Sequence, residues 1–196
     1  MSRSRQTSRG FSLLELMIVL PIIAIAGTIA LTLTMRAWQA YRLGVVQTDA
    51  QFENTTALER VSRVLRSTNQ VIAASSNDLT IEAYFSPRNS VPDKARYYYA
   101  NNELKVDVIP ASGTAPNYTY LDTDKQTFTI TNLLNTPAQP VFRYYDESGG
   151  LLTGSIDNNA VRVIEISLIS NAKPELLTQN QVGSTRVQLR NMKTNL

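Results

Sequence analysis

The sequence predicts an α+β protein in which a long N-terminal helix packs on an antiparallel β-sheet. The 25 residues between Gly10 and Arg36 carry one charged side chain, Glu15, and helical periodicity continues after them. From about residue 79 the pattern changes to short alternating runs separated by turn residues. About 160 residues follow the apolar run, which is enough for one globular domain with its own core.

Residues 11–35 are predicted to form a transmembrane helix. A helix of this length rises about 37 Å, enough to cross a bilayer with some tilt. Arg3, Arg5 and Arg9 precede it without an acidic residue, so the N-terminus is expected in the cytoplasm and the rest of the chain outside. We therefore expect a single-pass protein of the cytoplasmic (inner) membrane. Pro21 predicts a kink or a locally melted turn in the helix.

Glu15 is the residue of this span that needs a partner. An acidic side chain in a membrane helix costs about 2.5 to 3.5 kcal/mol, which favours pairing with a cation. Cleavage between Gly10 and Phe11 would create an amino group one helical turn from Glu15, or available to Glu15 of a neighbouring copy, and would remove the three leader arginines. The helix could then leave the bilayer and bundle with copies of itself.

The ordinary secretory signal is the alternative interpretation of this region. Such a signal is cut after its apolar run, at small residues. The nearest match is Ala24-Ile25-Ala26, which lies in the middle of the predicted span and therefore disfavours this alternative.

The run Arg9-Gly10-Phe11-Ser12-Leu13-Leu14-Glu15 resembles the cleavage and methylation signature of type IV prepilins and of the pseudopilins of type II secretion and competence systems. The resemblance implies a leader of residues 1–10, cleavage before Phe11 by a prepilin peptidase, and N-methylation of Phe11. It implies that Glu15 pairs with the amino terminus of a neighbour during filament assembly. It also implies a pilin fold without a cofactor, and other pilin subunits and an inner-membrane assembly platform as partners. Many family members carry the helix-breaking proline near the far end of the span, whereas Pro21 comes early.

Residues 36–68 are predicted to form the amphipathic second half of the same helix. Residues Ala37 to Ser67 contain no proline, and most of the apolar residues recur at helical steps. The predicted apolar stripe consists of Trp38, Tyr41, Val45, Phe52, Leu58, Val61 and Leu65. We expect this stripe to be covered by residues further along the chain.

Residues 69–196 are predicted to form the β-sheet head domain. A hairpin is expected around Asn101-Asn102 because short alternating runs flank this turn pair. The predicted strands cover residues 79–85, 96–100, 104–109, 127–131, 141–145, 161–169 and 185–190. The runs from Val141 to Leu152, Val161 to Ile166 and Ser184 to Asn191 resemble the sheet of larger minor pilins and J-type minor pseudopilins, which implies a minor subunit.

The composition argues against catalysis. The chain has no histidine and no cysteine, which removes thiol nucleophiles, histidine bases and the usual zinc ligands. A Ser-Lys or paired-carboxylate site stays open, but no spacing suggests one, and we predict no enzyme activity.

Without the three leader arginines the chain carries 16 basic and 16 acidic side chains, which disfavours a nucleic-acid-binding body.

Four groups of residues have both a functional and a structural interpretation. The acidic residues of two loops could bind calcium, although turn formation is the more common role. Three arginines at three-residue steps on the helix could contact DNA, although a solvated helix face is more common. Three consecutive tyrosines are expected to divide between the two faces of a strand. The residues are Asp122 and Asp124; Asp146, Glu147 and Asp157; Arg60, Arg63 and Arg66; and Tyr97, Tyr98 and Tyr99.

The sequence thus favours a structural subunit, processed and assembled into a type IV pilus or a type II secretion-like pseudopilus. The competing hypothesis is a membrane-anchored monomer that never polymerises, such as an adhesin or a DNA-binding tip protein. A pilus, a secretion pseudopilus and a DNA-uptake filament all stay open as the machine that it serves.

Overall fold

The structure is a computed structural model that describes residues 12–85, 91–114, 117–171 and 180–189. The chain divides into two compact units, Met1–Val45 and Val46–Leu196. The first consists, within the described residues, of helical chain from Leu13 onward. The second contains the rest of the helix and all the strands.

Helix α1 spans Leu13–Arg66, as the continuous helical pattern predicted. Its first described backbone bond runs from the Leu16 amide to the Ser12 carbonyl, at 3.1 Å. At its end, the Ser67 amide and hydroxyl donate to the Val64 carbonyl at 3.0 and 2.7 Å, which tightens the last turn and satisfies an orphan carbonyl. The observed end at Arg66 lies two residues before the predicted boundary at residue 68.

Within the described residues the strands form three antiparallel sheets rather than one. A five-stranded sheet has the order β1-β2-β3-β4-β7, a four-stranded sheet has the order β11-β10-β8-β9, and β5 and β6 form a hairpin. The strand bounds are β1 Thr68–Ser75, β2 Asp78–Ala83, β3 Asp93–Ala100, β4 Glu103–Ile109, β5 Ala111–Thr114, β6 Asn117–Tyr120, β7 Gln126–Asn132, β8 Phe142–Tyr145, β9 Leu151–Leu152, β10 Val163–Ser170 and β11 Gln181–Gln188.

The α+β prediction is confirmed, and the expectation of a single sheet is corrected. Each predicted strand overlaps an observed one, whereas β1, β5, β6 and β9 were not predicted. Strand β1 was missed because its Ser and Asn residues are typical of turns. It forms through pairing with β2, in a register that places Thr68 opposite Ala83. The predicted positions of Arg190 and Asn191 lie outside the described residues.

The predicted hairpin is present between β3 and β4. Asn101 and Asn102 have φ angles of 54° and 61°, and two positive values in succession define the turn that matches the twist of a hairpin. Ala100 is paired with Glu103 across this turn. Asparagine tolerates the left-handed region better than most residues, which explains why this pair is placed here.

Main-chain hydrogen bonds join the two larger sheets at the second unit's core. The Phe142 amide donates to the Ser76 carbonyl at 3.0 Å, and the Leu134 amide donates to the Ile169 carbonyl at 2.6 Å. The buried Tyr144 hydroxyl donates to the Ser75 carbonyl at 2.8 Å. The core between them contains fully buried side chains from α1 and from both sheets, including Val61, Leu65, Leu79, Ile81, Leu104, Ile164, Ile166 and Leu168.

The helix buries a different face from the one that the sequence indicated. Its buried residues are Val46, Ala50, Asn54, Ala57, Val61, Ser62 and Leu65. Of the predicted stripe, Val61 and Leu65 are buried and Leu58 is half-buried, whereas Trp38, Tyr41, Val45 and Phe52 are exposed. The stripe was wrong at these four positions because the buried face includes three small side chains, Ala50, Ala57 and Ser62, among its seven residues. A purely hydrophobic pattern favours bulky residues instead.

Candidate functional site

The candidate site is the first part of α1, from Ser12 to Val45. Every residue in this stretch is exposed, and no charged residue lies between Glu15 and Arg36. The described helix is long and apolar enough to cross a membrane. The described residues do not include the predicted cleavage and methylation site, Gly10 and Phe11. They also do not include the leader residues Arg3, Arg5 and Arg9.

Large aliphatic side chains surround this part of the helix. Leu13, Met17 and Leu31 are 81%, 68% and 67% exposed. Fully burying one such side chain stabilises by about 1.5 to 3 kcal/mol, so leaving the whole run in water would be strongly unfavourable. The other large exposed residues of the run are Leu14, Leu16, Ile18, Val19, Leu20, Ile22, Ile23, Ile25, Ile29, Leu33 and Met35.

The threonines of this stretch satisfy their own hydroxyl groups. Thr28, Thr32 and Thr34 each donate to the carbonyl four residues earlier, at 2.7 to 2.8 Å. An unsatisfied hydroxyl would be costly in hydrocarbon. The three threonines are therefore compatible with an apolar environment.

Glu15 lies in the first turn of α1. A carboxylate here is favoured by the helix dipole, because the first amide groups carry a partial positive charge. Within the described part of the chain, no ion pair involves Glu15. Glu15 is a single anionic group, and the helix carries no other charged residue before Arg36. Its carboxylate is available to a cation from another part of the chain or from another molecule.

Pro21 stands inside α1. Proline has no amide hydrogen, so the Met17 carbonyl four residues earlier loses its usual donor. The helix continues without interruption through Pro21. The kink at Pro21 stays a prediction.

The residues with two interpretations lie in the second unit. Arg60, Arg63 and Arg66 are exposed on α1. Arg63 and Arg66 line a groove of about 760 Å³ between the helix and β11, together with polar side chains such as Thr55. This environment is that of a solvated helix face.

The loop carboxylates act in their own turns. Asp146 accepts hydrogen bonds from the Ser148 hydroxyl at 2.7 Å and the Gly150 amide at 2.8 Å, and these bonds lower its pKa. Asp157 accepts from the Asn159 amide at 3.0 Å. Asp122 and Asp124 bound a short 3₁₀ turn. Across residues 12–85, 91–114, 117–171 and 180–189, no group of three or more acidic side chains is placed to hold a metal ion.

The three consecutive tyrosines divide between the faces of β3, as alternation predicted. Tyr97 is buried in the core, and Tyr99 packs against it. The Tyr98 hydroxyl, on the other face, donates to Asp107 at 3.3 Å. These contacts support the structural interpretation of the cluster.

A charged cluster on the four-stranded sheet was not found from the sequence. Glu165 accepts hydrogen bonds at 2.7 Å from both the Tyr145 hydroxyl and Arg186 Nε, and Arg143 lies 3.8 Å away. The hydrogen bond from Tyr145 and the nearby arginines lower the pKa of Glu165. Arg143 and Tyr145 are on β8, Glu165 is on β10 and Arg186 is on β11, so only the register of these three strands could have revealed the cluster.

A comparison with protein families finds a match near the start of the chain. A family described as the prokaryotic N-terminal methylation motif matches residues 5–31. No curated protein matches the chain. The matched segment contains Gly10, Phe11, Glu15 and Pro21, and includes most of the exposed apolar helix.

The chain therefore carries the signal of type IV prepilins. This motif suggests a pilin-like or pseudopilin-like substrate of a prepilin peptidase. Such proteins are generally structural rather than enzymatic. Together with the apolar helix, the motif fits an inner-membrane-anchored pilin.

Proposed function

We propose that this protein is a minor structural subunit of a type IV pilus or of a type II secretion-like pseudopilus. The observation that carries the proposal is the coincidence of the methylation motif with an apolar helix that has no cover within its own unit. The leader of residues 1–10 would be removed before Phe11, and the new terminus would be N-methylated.

Assembly would transfer the helix from lipid to a bundle of similar helices. Both environments are apolar, so the large exposed aliphatic side chains are never left in water. Glu15 would pair with the amino terminus of a neighbouring subunit. Because an unpaired charge in an apolar bundle is costly, this pairing would set the axial register between neighbours.

The second unit would be displayed outside the helical bundle. Its core is formed within one chain, from α1 and the sheets, so it needs no partner to fold. Minor rather than major status is supported by the resemblance of the C-terminal strands to J-type minor pseudopilins and larger minor pilins.

The test is intact mass and N-terminal sequencing of the protein from membranes and from sheared surface filaments. We expect a chain that begins at N-methylated Phe11 and is present in both fractions. Cells that lack the prepilin peptidase provide the control and should yield the uncut chain from Met1. A chain that is cut near Ala26 would contradict the proposed processing, and a processed chain absent from filaments would instead support the anchored monomer.

A further inference from the structure

Two aromatic residues lie on α1 just beyond the apolar run. Trp38 and Tyr41 are 64% and 66% exposed, and their ring centroids are 6.1 Å apart. They are three residues apart on a helix, so their side chains share a face. Two large aromatic rings exposed side by side need an environment that is partly apolar and partly polar.

Two arginines accompany the aromatic pair. Arg36 and Arg42 are the only charged residues between Glu15 and Asp49. Arginine is long enough to keep its stem against apolar groups while its head reaches water or phosphate, and its planar guanidinium suits phosphate oxygens. This stretch therefore presents aromatic and basic groups together, with no acidic side chain among them.

The position of the group along the helix matches the thickness of a bilayer. Leu13 to Met35 rises about 34 Å at 1.5 Å per residue, close to the roughly 30 Å of hydrocarbon when the helix is tilted. Trp38 lies about one helical turn beyond Met35. Glu15 and Trp38 thus lie near opposite ends of the apolar segment, where lipid headgroups meet hydrocarbon.

We infer that Arg36, Trp38, Tyr41 and Arg42 form an interfacial collar that binds phospholipid headgroups on the extracytoplasmic side of the membrane before assembly. Tryptophan and tyrosine are enriched at this depth of membrane proteins because their rings are apolar and their N–H and O–H groups are polar. The inference rests on the proposed membrane insertion and adds the lipid surface as the partner of this helix segment. The collar also holds the helix so that Glu15 stays near the opposite interface rather than in hydrocarbon.

The sequence provides a direct probe, because Trp38 is the only tryptophan. The full chain would be reconstituted at a low protein-to-lipid ratio in vesicles of phosphatidylethanolamine and phosphatidylglycerol. Some lipids would carry bromine near the headgroup end of the acyl chain, and others near the methyl end. Since an interfacial ring lies at the headgroup boundary, we expect the first set to quench Trp38 fluorescence at least about twofold more strongly than the second.

The matched control moves the tryptophan along the same face. The double variant Trp38→Phe with Ala24→Trp places the reporter 14 residues earlier, about 21 Å deeper and near the middle of the apolar segment. Its quenching preference should reverse in favour of bromine near the methyl end. Ala24 is exposed, so the substitution disturbs no packing within its unit.

Insertion is measured separately, by resistance of the vesicle-bound chain to alkaline carbonate extraction. A chain that is extracted would overturn the proposed membrane insertion, and the collar with it. A chain that resists extraction while Trp38 is quenched mainly by the deep bromines would overturn the collar alone. So would a Trp38 that is shielded from both the brominated lipids and aqueous acrylamide, because protein would then cover it.

Discussion

Helix α1 behaves differently in the two units of the chain. Between Ser12 and Val45 every residue is exposed, including large aliphatic ones. From Val46 to Arg66 one face is buried, and small residues such as Ala50 and Ala57 provide much of it. Side-chain size therefore does not indicate where the helix contacts its own chain. The bulky surface lacks a partner within its own unit, whereas the small residues lie at the tight contact.

The difference indicates two separate sources of stability. The second unit gains its free energy of folding from burial within the chain. The apolar surface of the first unit has no cover among the described residues of that unit, and in the proposed function lipid and then other chains remove it from water. Substitutions in the two parts of one helix should therefore act on different properties, on unfolding in one and on assembly in the other.

The largest expected effect is on filament assembly, from Glu15→Ala. Removing one member of a buried ion pair costs about 3 to 5 kcal/mol, equivalent to more than about a hundredfold in an association constant. Membrane insertion and cleavage should be unchanged. The measurement is the amount of the subunit in sheared filaments relative to membranes. Glu59→Ala, at an exposed acidic residue of the second unit, is the matched control, and equal incorporation of both variants would refute the register role.

The next effect concerns the free energy of unfolding, and compares two leucines of the same helix. Leu65 is fully buried and Leu31 is 67% exposed. Leu65→Ala should lower the free energy of unfolding by about 2 to 5 kcal/mol because it leaves a cavity, whereas Leu31→Ala should change it by less than about 0.5 kcal/mol. Urea unfolding of the full chain in detergent, followed by near-UV circular dichroism of the buried tyrosines, measures both. Similar losses in the two variants would mean that the units are not energetically distinct.

An intermediate effect tests the close contact of the small helix residues. Ala57 is 3% exposed, and Ala57→Leu should destabilise the second unit by about 1 to 3 kcal/mol through overpacking. Ala40→Leu adds the same atoms at an exposed position of the first unit and should leave the unfolding midpoint unchanged. If Ala57→Leu were neutral, the helix would not be held as closely as the structure shows.

The smallest effect is the acid sensitivity that Glu165 gives to the second unit. The hydrogen bond from Tyr145 and the nearby arginines lower the pKa of Glu165 below the unperturbed 4.5. A lowered folded-state pKa contributes stability that is present above the unfolded pKa and is lost as the pH falls through the folded one. Glu165→Gln should therefore cost about 1.5 kcal/mol at neutral pH and flatten the pH dependence below about 4.5.

The measurement for Glu165→Gln is urea unfolding from pH 7 down to about pH 3, the range in which carboxylates titrate. Glu59→Gln is the control at an exposed helix position. An acid dependence that is the same for Glu165→Gln as for the parent protein would show that the cluster does not contribute to acid sensitivity.

The elements that the sequence predicted correctly depend on neighbouring residues. The helix from Leu13 to Arg66 follows from composition and helical period, and the hairpin at Asn101-Asn102 follows from two residues that tolerate positive φ. The strands that were missed pair with strands close to them in the chain, β1 with β2, β5 with β6 and β9 with β8. They were missed because they are short or carry residues typical of turns, whereas the division into sheets depends on which strands become neighbours across longer distances.

The candidate site shows the same division. Gly10, Phe11 and Glu15 could be singled out from the sequence because the motif is a short linear pattern, and the methylation-motif match spans them. Their roles in cleavage, methylation and assembly stay predictions. The structure describes only the last of the three, so the cleavage site still depends on the sequence and the comparison. The exposure of Trp38 and Tyr41 was missed because the sequence pattern assigned both to the buried stripe.

The sequence by itself determined the apolar helix, its single carboxylate and the match to the methylation motif, because each is a property of one continuous segment. Only the tertiary structure decided which helix face is buried, how the strands divide into sheets, and that Glu165, Tyr145 and Arg186 meet. These outcomes depend on close packing and strand register between residues far apart in the chain. Such contacts are selected by the fit of whole elements, which no local pattern contains.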